Sequence, residues 1–197
     1  MEIPIILEST SKYRQALLTQ LGIPFTLKTP LFDEDAFKSN SLEPKALAQF
    51  LSQKKAQSLA ESNNCIIAGD QLVELEGKVL GKPKTFENAY KQLKSMIGKT
   101  HHLHTAITVI HRKVEVNLLH TTVLEMKNLT EQQITDYLKL DEPFDCAGSY
   151  KIEQNGKNLF NKIDCDDFSA IQGLPLIHLT RILKQFGYTI PHEKRTS

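Results

Sequence analysis

Residues 3–24 read Ile3-Pro4-Ile5-Ile6-Leu7-Glu8-Ser9-Thr10-Ser11-Lys12-Tyr13-Arg14-Gln15-Ala16-Leu17-Leu18-Thr19-Gln20-Leu21-Gly22-Ile23-Pro24. Ile3 to Leu7 is a short apolar run, the pattern of a buried strand. Ser9-Thr10-Ser11 breaks it. From Arg14, the apolar residues Ala16, Leu17, Leu18 and Leu21 follow helical spacing, and Gly22 and Pro24 end the helix. The chain therefore opens as strand, hydroxyl-rich turn and helix.

The alternation continues outward from there. Residues 30–41, with Asp33, Glu34 and Asp35 in a row, read as a loop. Pro44 suits a helix start, and Leu47, Phe50, Leu51 and Leu59 carry that helix to about Ala60. Cys65 to Ala68 is a second buried strand, expected to end at Gly69-Asp70. Gln71–Leu75 and Lys78–Leu80 form a hairpin around Glu76-Gly77. Thr85 caps a helix from about Phe86 to Ile97. Two β-rich stretches, about 102–110 and 114–126, meet near Arg112-Lys113. Thr130 and Gln133 make a capping box that opens a helix to about Leu140, and Pro143 halts it. A strand is expected at Leu159–Ile163. Gly173-Leu174-Pro175 leads into a last helix through Phe186, with Gly187 as its stop. Interleaved strands and helices place the chain in the α/β or mixed class.

A chain of 197 residues fits one domain, or one domain with two lobes. The single domain is expected to span residues 1–197, with a tail after about 187. Hydrophobic residues at 40% and charged residues at 24% exclude a mainly disordered chain. Lys+Arg total 24 and Asp+Glu total 23, so a strongly basic nucleic-acid binder is not expected. Cys65, Cys146 and Cys165 form no C-x-x-C pair, which points to a reducing, cytoplasmic setting. Met1-Glu2-Ile3-Pro4-Ile5-Ile6-Leu7 lacks basic residues and soon turns polar, so it is not expected to act as a signal peptide. No run approaches the ~18 apolar residues of a membrane span.

Several groups can carry chemistry. Ser9-Thr10-Ser11-Lys12-Tyr13-Arg14 stands at a helix N-terminus, where free amides, hydroxyls and Arg14 can cradle phosphate. The same turn also serves as ordinary capping. Asp70 follows Cys65-Ile66-Ile67-Ala68-Gly69, and carboxylates at strand ends often face a ligand crevice. With Asp33 or Glu34 it could hold Mg²⁺, which takes oxygen ligands. Acidic loop residues are also commonly just solvated. Lys55 lies within a helix and Lys82 within Gly81-Lys82-Pro83. No P-loop and no G-x-G-x-x-G is present. His101, His102 and His104 lack zinc-site companions and read as structural or exposed. Cys146 has no base nearby in sequence and reads as inert.

Together these pieces make the chain recognisable. Leu7-Glu8-Ser9-Thr10-Ser11-Lys12-Tyr13-Arg14-Gln15-Ala16-Leu17-Leu18, Phe32-Asp33-Glu34, Lys54-Lys55-Ala56, Ala68-Gly69-Asp70-Gln71 with Leu80-Gly81-Lys82-Pro83, Cys146-Ala147-Gly148-Ser149-Tyr150 and Gly173-Leu174-Pro175-Leu176 follow in order. The set resembles the Maf family of nucleoside triphosphate pyrophosphatases, from about residue 5 to 186. The resemblance implies an elongated, two-lobed, mixed α/β fold of the Maf/inosine-triphosphatase-like kind, with a central mixed sheet and an active-site cleft. It implies hydrolysis between the α- and β-phosphates with a divalent cation, Mg²⁺, Mn²⁺ or Co²⁺. On that basis Arg14, Lys55 and Lys82 neutralise phosphate, and Ser9 with its turn donates hydrogen bonds. Glu34 and Asp70 serve metal and water, Asp70 as base or ligand. A homodimer is compatible with the resemblance.

The trio Tyr13, Gln71 and Glu153 resembles the branch of the family that acts on 7-methyl-GTP. N7-methylation makes guanine cationic, which favours stacking on an aromatic ring. Glu153 can accept from the guanine N1–H and 2-amino group, and Gln71 can donate and accept. A dTTP, UTP or CTP pyrophosphatase is the alternative enzyme. A non-catalytic nucleotide-binding regulator of septum formation is the alternative of another class. Two residues depart from the family pattern. Glu8 replaces a small residue and Lys12 replaces Pro. Glu8 would repel phosphate if it faced the turn, unless it alternates away or pairs with Lys12 or Arg14.

Overall fold

In the computed structural model, which describes residues 3–32, 42–59 and 63–191, the opening stretch folds as its pattern dictates. Strand β1 (Ile5–Glu8) leads through the hydroxyl turn into helix α1 (Lys12–Gln20). The Ser11 side chain caps α1 by accepting the Arg14 amide. Strand β2 (Phe25–Lys28) follows. Three of its four side chains are exposed, so it lacked the apolar signal that marks a strand.

Helix α2 (Pro44–Gln57) has Pro44 in its first turn, where a missing amide leaves no hydrogen bond unmade. Leu47, Ala48, Leu51, Ser52, Lys55 and Ala56 form its buried stripe. Lys55 is thus carried inward by helical register.

Strand β3 (Cys65–Leu75) overturns one expectation. It does not stop at Gly69-Asp70 but runs for 11 residues, so Asp70 sits inside a strand. A buried Asp would normally argue for an end there. Here Lys55 neutralises it through Oδ1, and the backbone ladder continues past it. Strand β4 (Lys78–Leu80) closes the expected hairpin against β3. Glu76 and Gly77 both take positive φ, as a two-residue hairpin turn of this hand requires.

Helix α3 (Phe86–Met96), strands β5 (Thr100–His111) and β6 (Val114–Met126), and helix α4 (Glu131–Asp141) stand where the pattern placed them. Strand β7 (Phe160–Asp164) pairs antiparallel with β6. The short helix α5 (Phe168–Ile171) and helix α6 (Leu176–Gln185) complete the described chain. Asp167 and Ser169 accept the Ile177 and Leu176 amides at 2.9 and 2.8 Å, capping α6 from outside its own sequence.

The strands form one seven-stranded sheet in the order β2-β1-β3-β5-β6-β7, with β4 paired to β3. β1 is parallel to both β2 and β3. The mixed α/β class and central mixed sheet are therefore as expected.

The chain divides into two compact units. The first contains β1, α1, β2, α2, the Cys65–Asp70 half of β3, Thr105–His120, and the described residues from Asp167 on. On one face of its sheet, Ile5, Leu7, Cys65 and Ile67 pack with Leu17, Leu18, Leu179 and Leu183. On the other, Ile66 and Ala68 pack with Ala56. Period-two alternation along β1 and β3 creates both layers.

The second unit contains Gln71–His104 and Thr121–Asp166. Leu93, Met96, Leu124, Met126, Ile134 and Leu138 are fully buried there. His101 joins this interior between Tyr150 and Phe160, with ring centroids 5.7 and 5.6 Å away. Burial, then the neighbouring His102, pushes its pKa down to about 4.

The folded state therefore keeps His101 neutral where the unfolded chain, near its ordinary value of 6.5, takes up a proton. Its stability contribution is full above about pH 6.5 and declines as pH falls toward 4, by on the order of 3 kcal/mol. Urea unfolding at pH 7 and pH 4.5 checks this. His101→Phe should lose less stability across that interval than the parent. Parallel losses would refute it.

Candidate active site

On the α1 face of the first unit, the turn gathers Ser9 and Arg14. Ser9 Oγ accepts the Ser11 amide at 3.1 Å and Arg14 Nη1 at 3.5 Å. Its own O–H is then the donor the turn can offer. Arg14 Nε donates to the Gly173 carbonyl at 2.9 Å, 159 residues away in sequence.

Two glycines make room for that guanidinium. A Cβ on Gly69 would stand 3.2 Å from both Arg14 Nε and the Ala106 carbonyl oxygen. A Cβ on Gly173 would stand 3.3 Å from Nε, at a φ of +103° that side chains rarely adopt. The motifs around Gly69 and Gly173 therefore meet at Arg14. Tyr13 is half-buried on α1.

On the α2 face of the same unit, Lys55 Nζ donates to Asp70 Oδ1 at 2.6 Å. The side chains are 5% and 8% exposed, so the pair is dry. Asp70 Oδ2 is also buried and has no hydrogen-bond partner.

Glu8 points to this face, not to the phosphate turn. Parallel pairing sets Glu8 beside Ala68, two residues before Asp70 on one side of β3. Glu8 Oε1 accepts the Ser58 hydroxyl at 2.8 Å. Burial pushes the carboxyl above its ordinary value, against the lowering pull of the Ser58 hydroxyl, the Lys55 charge and the Leu31 amide. Of the alternatives for Glu8, alternation away from the turn is the one observed. Lys12 is exposed.

The remaining candidates lie in the second unit or outside the described residues. Gln71 follows Asp70 in β3, so the pleat turns it to the opposite side, where it is half-buried. Lys82 is exposed in the loop between β4 and α3. Glu153 is exposed on a turn anchored by Asp141, whose two oxygens accept the Asn155 amide at 3.0 Å and Asn155 Nδ2 at 2.7 Å. Glu34, with Asp33 and Asp35, lies outside the described residues.

His101 and His104 are structural, and His102 is half-buried. His104 Nε2 meets Glu74 at 2.6 Å and Nδ1 meets Thr121 at 3.0 Å, with the ring wholly buried. No group of three or more His, Cys, Asp or Glu suited to a metal occurs among the described residues. Cys65 is buried, and Cys146 and Cys165 are half-buried.

One residue escaped the sequence reading. Gln92 on α3 donates from Nε2 to the Gly81 carbonyl at 2.9 Å and accepts the Ser149 hydroxyl at 2.6 Å on Oε1. It thereby ties the loop bearing Lys82 to the Cys146–Tyr150 motif. The only available signal was its place one helical turn after Asn88, whose Nδ2 donates to the Pro83 carbonyl at 3.1 Å. Gln92→Ala should loosen the Lys82 loop and weaken nucleotide binding about 3- to 30-fold, roughly the value of one or two hydrogen bonds. Nucleotide titration checks this, with a circular dichroism melt as the folding control. Unchanged affinity would exclude the positioning role.

Fold and site define a mixed α/β protein with a dry carboxylate–lysine pair and a separate hydroxyl–arginine turn. The chain belongs to the Maf-like protein family, whose match covers residues 4–186. A Bdellovibrio bacteriovorus protein named 7-methyl-GTP pyrophosphatase is 51% identical over 91% of this chain and 95% of its own. Proteins of the same name from Xanthomonas axonopodis pv. citri and Hydrogenovibrio crunogenus are each 40% identical. They cover 95% of this chain and 98% and 94% of their own. A solved HAM1 protein from Coxiella burnetii aligns with 93% of this chain and 99% of its own, at 12% identity and a TM-score of 0.46, too low to carry an argument. Among the described residues, no helix is long and apolar enough to cross a membrane.

Proposed function

We propose that this protein is a nucleoside triphosphate pyrophosphatase that hydrolyses 7-methyl-GTP to 7-methyl-GMP and pyrophosphate. The observation that carries the reaction is Asp70, fixed through Oδ1 by Lys55 while Oδ2 is buried and unpartnered. The substrate reading rests on the shared name of the relatives and on Tyr13, Gln71 and Glu153.

The donor set fits a divalent cation, because an orphaned buried carboxylate oxygen is a site for a hard ion. Mg²⁺, Mn²⁺ or Co²⁺, when bound, would offset triphosphate charge and acidify water. Asp70 would hold that ion or take the proton of the attacking water, and both uses draw on Oδ2. Glu34 is proposed as its acidic companion. Water oxygen bonds to the α-phosphorus, the bridge to the β-phosphate breaks, and pyrophosphate leaves.

Ser9 and Arg14 are assigned to phosphate oxygens, as donors at a helix N-terminus. Lys82 is assigned to the leaving pyrophosphate. Lys55 acts first on Asp70, since its ammonium is already engaged there. Tyr13 is assigned to stacking on the methylated base, and Gln71 and Glu153 to its edge.

A nucleotide panel with pyrophosphate detection in Mn²⁺ tests the substrate. 7-methyl-GTP should be turned over fastest, and faster turnover of dTTP, UTP or CTP would sink that assignment. Asp70→Asn should lower kcat by about 10²- to 10⁴-fold while nucleotide still binds. Glu153→Gln should narrow the preference for 7-methyl-GTP over GTP, because it removes the charge facing the methylated base.

A further inference from the structure

Two buried carboxylates on one sheet face share an unusual state. Asp70 has one oxygen fixed by Lys55 of α2, and Glu8 has one oxygen fixed by Ser58 just beyond the end of α2. The second oxygen of each, Asp70 Oδ2 and Glu8 Oε2, is buried without a hydrogen-bond partner. Glu8 is 0% exposed and Asp70 6%. A buried carboxylate oxygen left unpaired costs free energy, so two of them call for a missing partner.

Geometry brings the two together. Glu8 pairs with Ala68 across the parallel strands, so Asp70 is its diagonal neighbour on the same face. Strands about 4.8 Å apart with about 3.3 Å rise per residue set such neighbours roughly 8 Å apart, within reach of long side chains, and Lys55 acts on both. A cation bonded to one oxygen of each, at about 2.1 Å, would span the remaining gap. Lys55 supplies one positive charge near both carboxylates. With both carboxyls ionised, as a bound cation requires, two negative charges face that one positive charge.

We propose that Glu8 is a divalent-cation ligand, sharing with Asp70 an ion bound through Glu8 Oε2 and Asp70 Oδ2. The inference rests on the reading of Asp70 as a metal carboxylate and assigns that atom to the ion. It also gives Glu8 a purpose where the family pattern has a small residue. Two protein carboxylates with the remaining positions left to water and phosphate are the usual arrangement for Mg²⁺ beside a nucleotide.

The test uses chelator-treated full-length protein without nucleotide. Mn²⁺ is titrated and free ion is read by electron paramagnetic resonance. Glu8→Gln keeps the volume and an oxygen for Ser58 but removes the charge. It should weaken Mn²⁺ binding roughly tenfold or more, since affinity follows ligand charge. Glu8→Ala should do the same, and in both variants the rise of the melting temperature with Mn²⁺ should shrink. Wild-type Mn²⁺ affinity in the folded variants would overturn the proposal, as would absence of Mn²⁺ binding by the parent. The readout needs no turnover. A protein that releases no pyrophosphate yet loses Mn²⁺ on Glu8→Gln would refute the proposed activity and keep the ligand assignment.

Discussion

A lysine ammonium and an aspartate carboxylate 2.6 Å apart, both shielded from water, require two elements to agree in register. Helix α2 must present position 55 on its buried stripe, and strand β3 must present position 70 on the face toward α2. A rotation of the helix by one residue, or a slip of the strand by one, would strand a charge in an apolar layer. Removing one partner of such a pair costs about 3–5 kcal/mol, far more than the pair contributes over a well-packed apolar substitute. The pair is thus better understood as a constraint on register than as a source of stability. Ser52 strengthens the same constraint from the stripe that carries Lys55, since its hydroxyl donates to Thr108 at 3.0 Å and lies 3.4 Å from the Ala68 carbonyl oxygen.

Arg14 imposes a second constraint on the opposite sheet face. Its guanidinium needs space at Gly69 and a carbonyl at Gly173, so two motifs distant in sequence are held by one side chain. Asp70 and Gly69 are adjacent, yet they serve different faces. The short Ala68-Gly69-Asp70 run therefore joins the arginine turn to the ion pair through a single strand.

Much of this was legible in the chain. The apolar run Ile5–Leu7, the helix stripe of α2, the Thr85 cap and the Thr130–Gln133 box all use local rules, and each element formed as those rules require. Strand β2 was not legible, because its exposed side chains lack a periodic apolar signal and pairing with β1 alone defines it. The continuation of β3 through Asp70 was not legible either. An isolated aspartate reads as a strand end until its lysine, supplied by another element, is known. Gln92 escaped for a similar reason, since its two bonds go to a loop and a turn that local pattern cannot bring together.

Glu8 shows how one local rule separates a harmful substitution from a tolerated one. A carboxylate between Leu7 and Ser9 seems set to repel phosphate from the turn. Strand alternation sends it instead to the face shared with Ala68, where Ser58 and Lys55 attend it. Leu7 and Ser9 flank it, with Leu7 packed in the α1-side core and Ser9 bonded to Arg14. One residue of register thus divides the candidate groups of β1 and their neighbours into two sets. Ser9 and Arg14 stand on one side of the pleat, Glu8, Asp70 and Lys55 on the other. A nearly neutral total charge conceals that division, because 24 basic and 23 acidic residues fix the sum but not the side of the sheet on which each group stands.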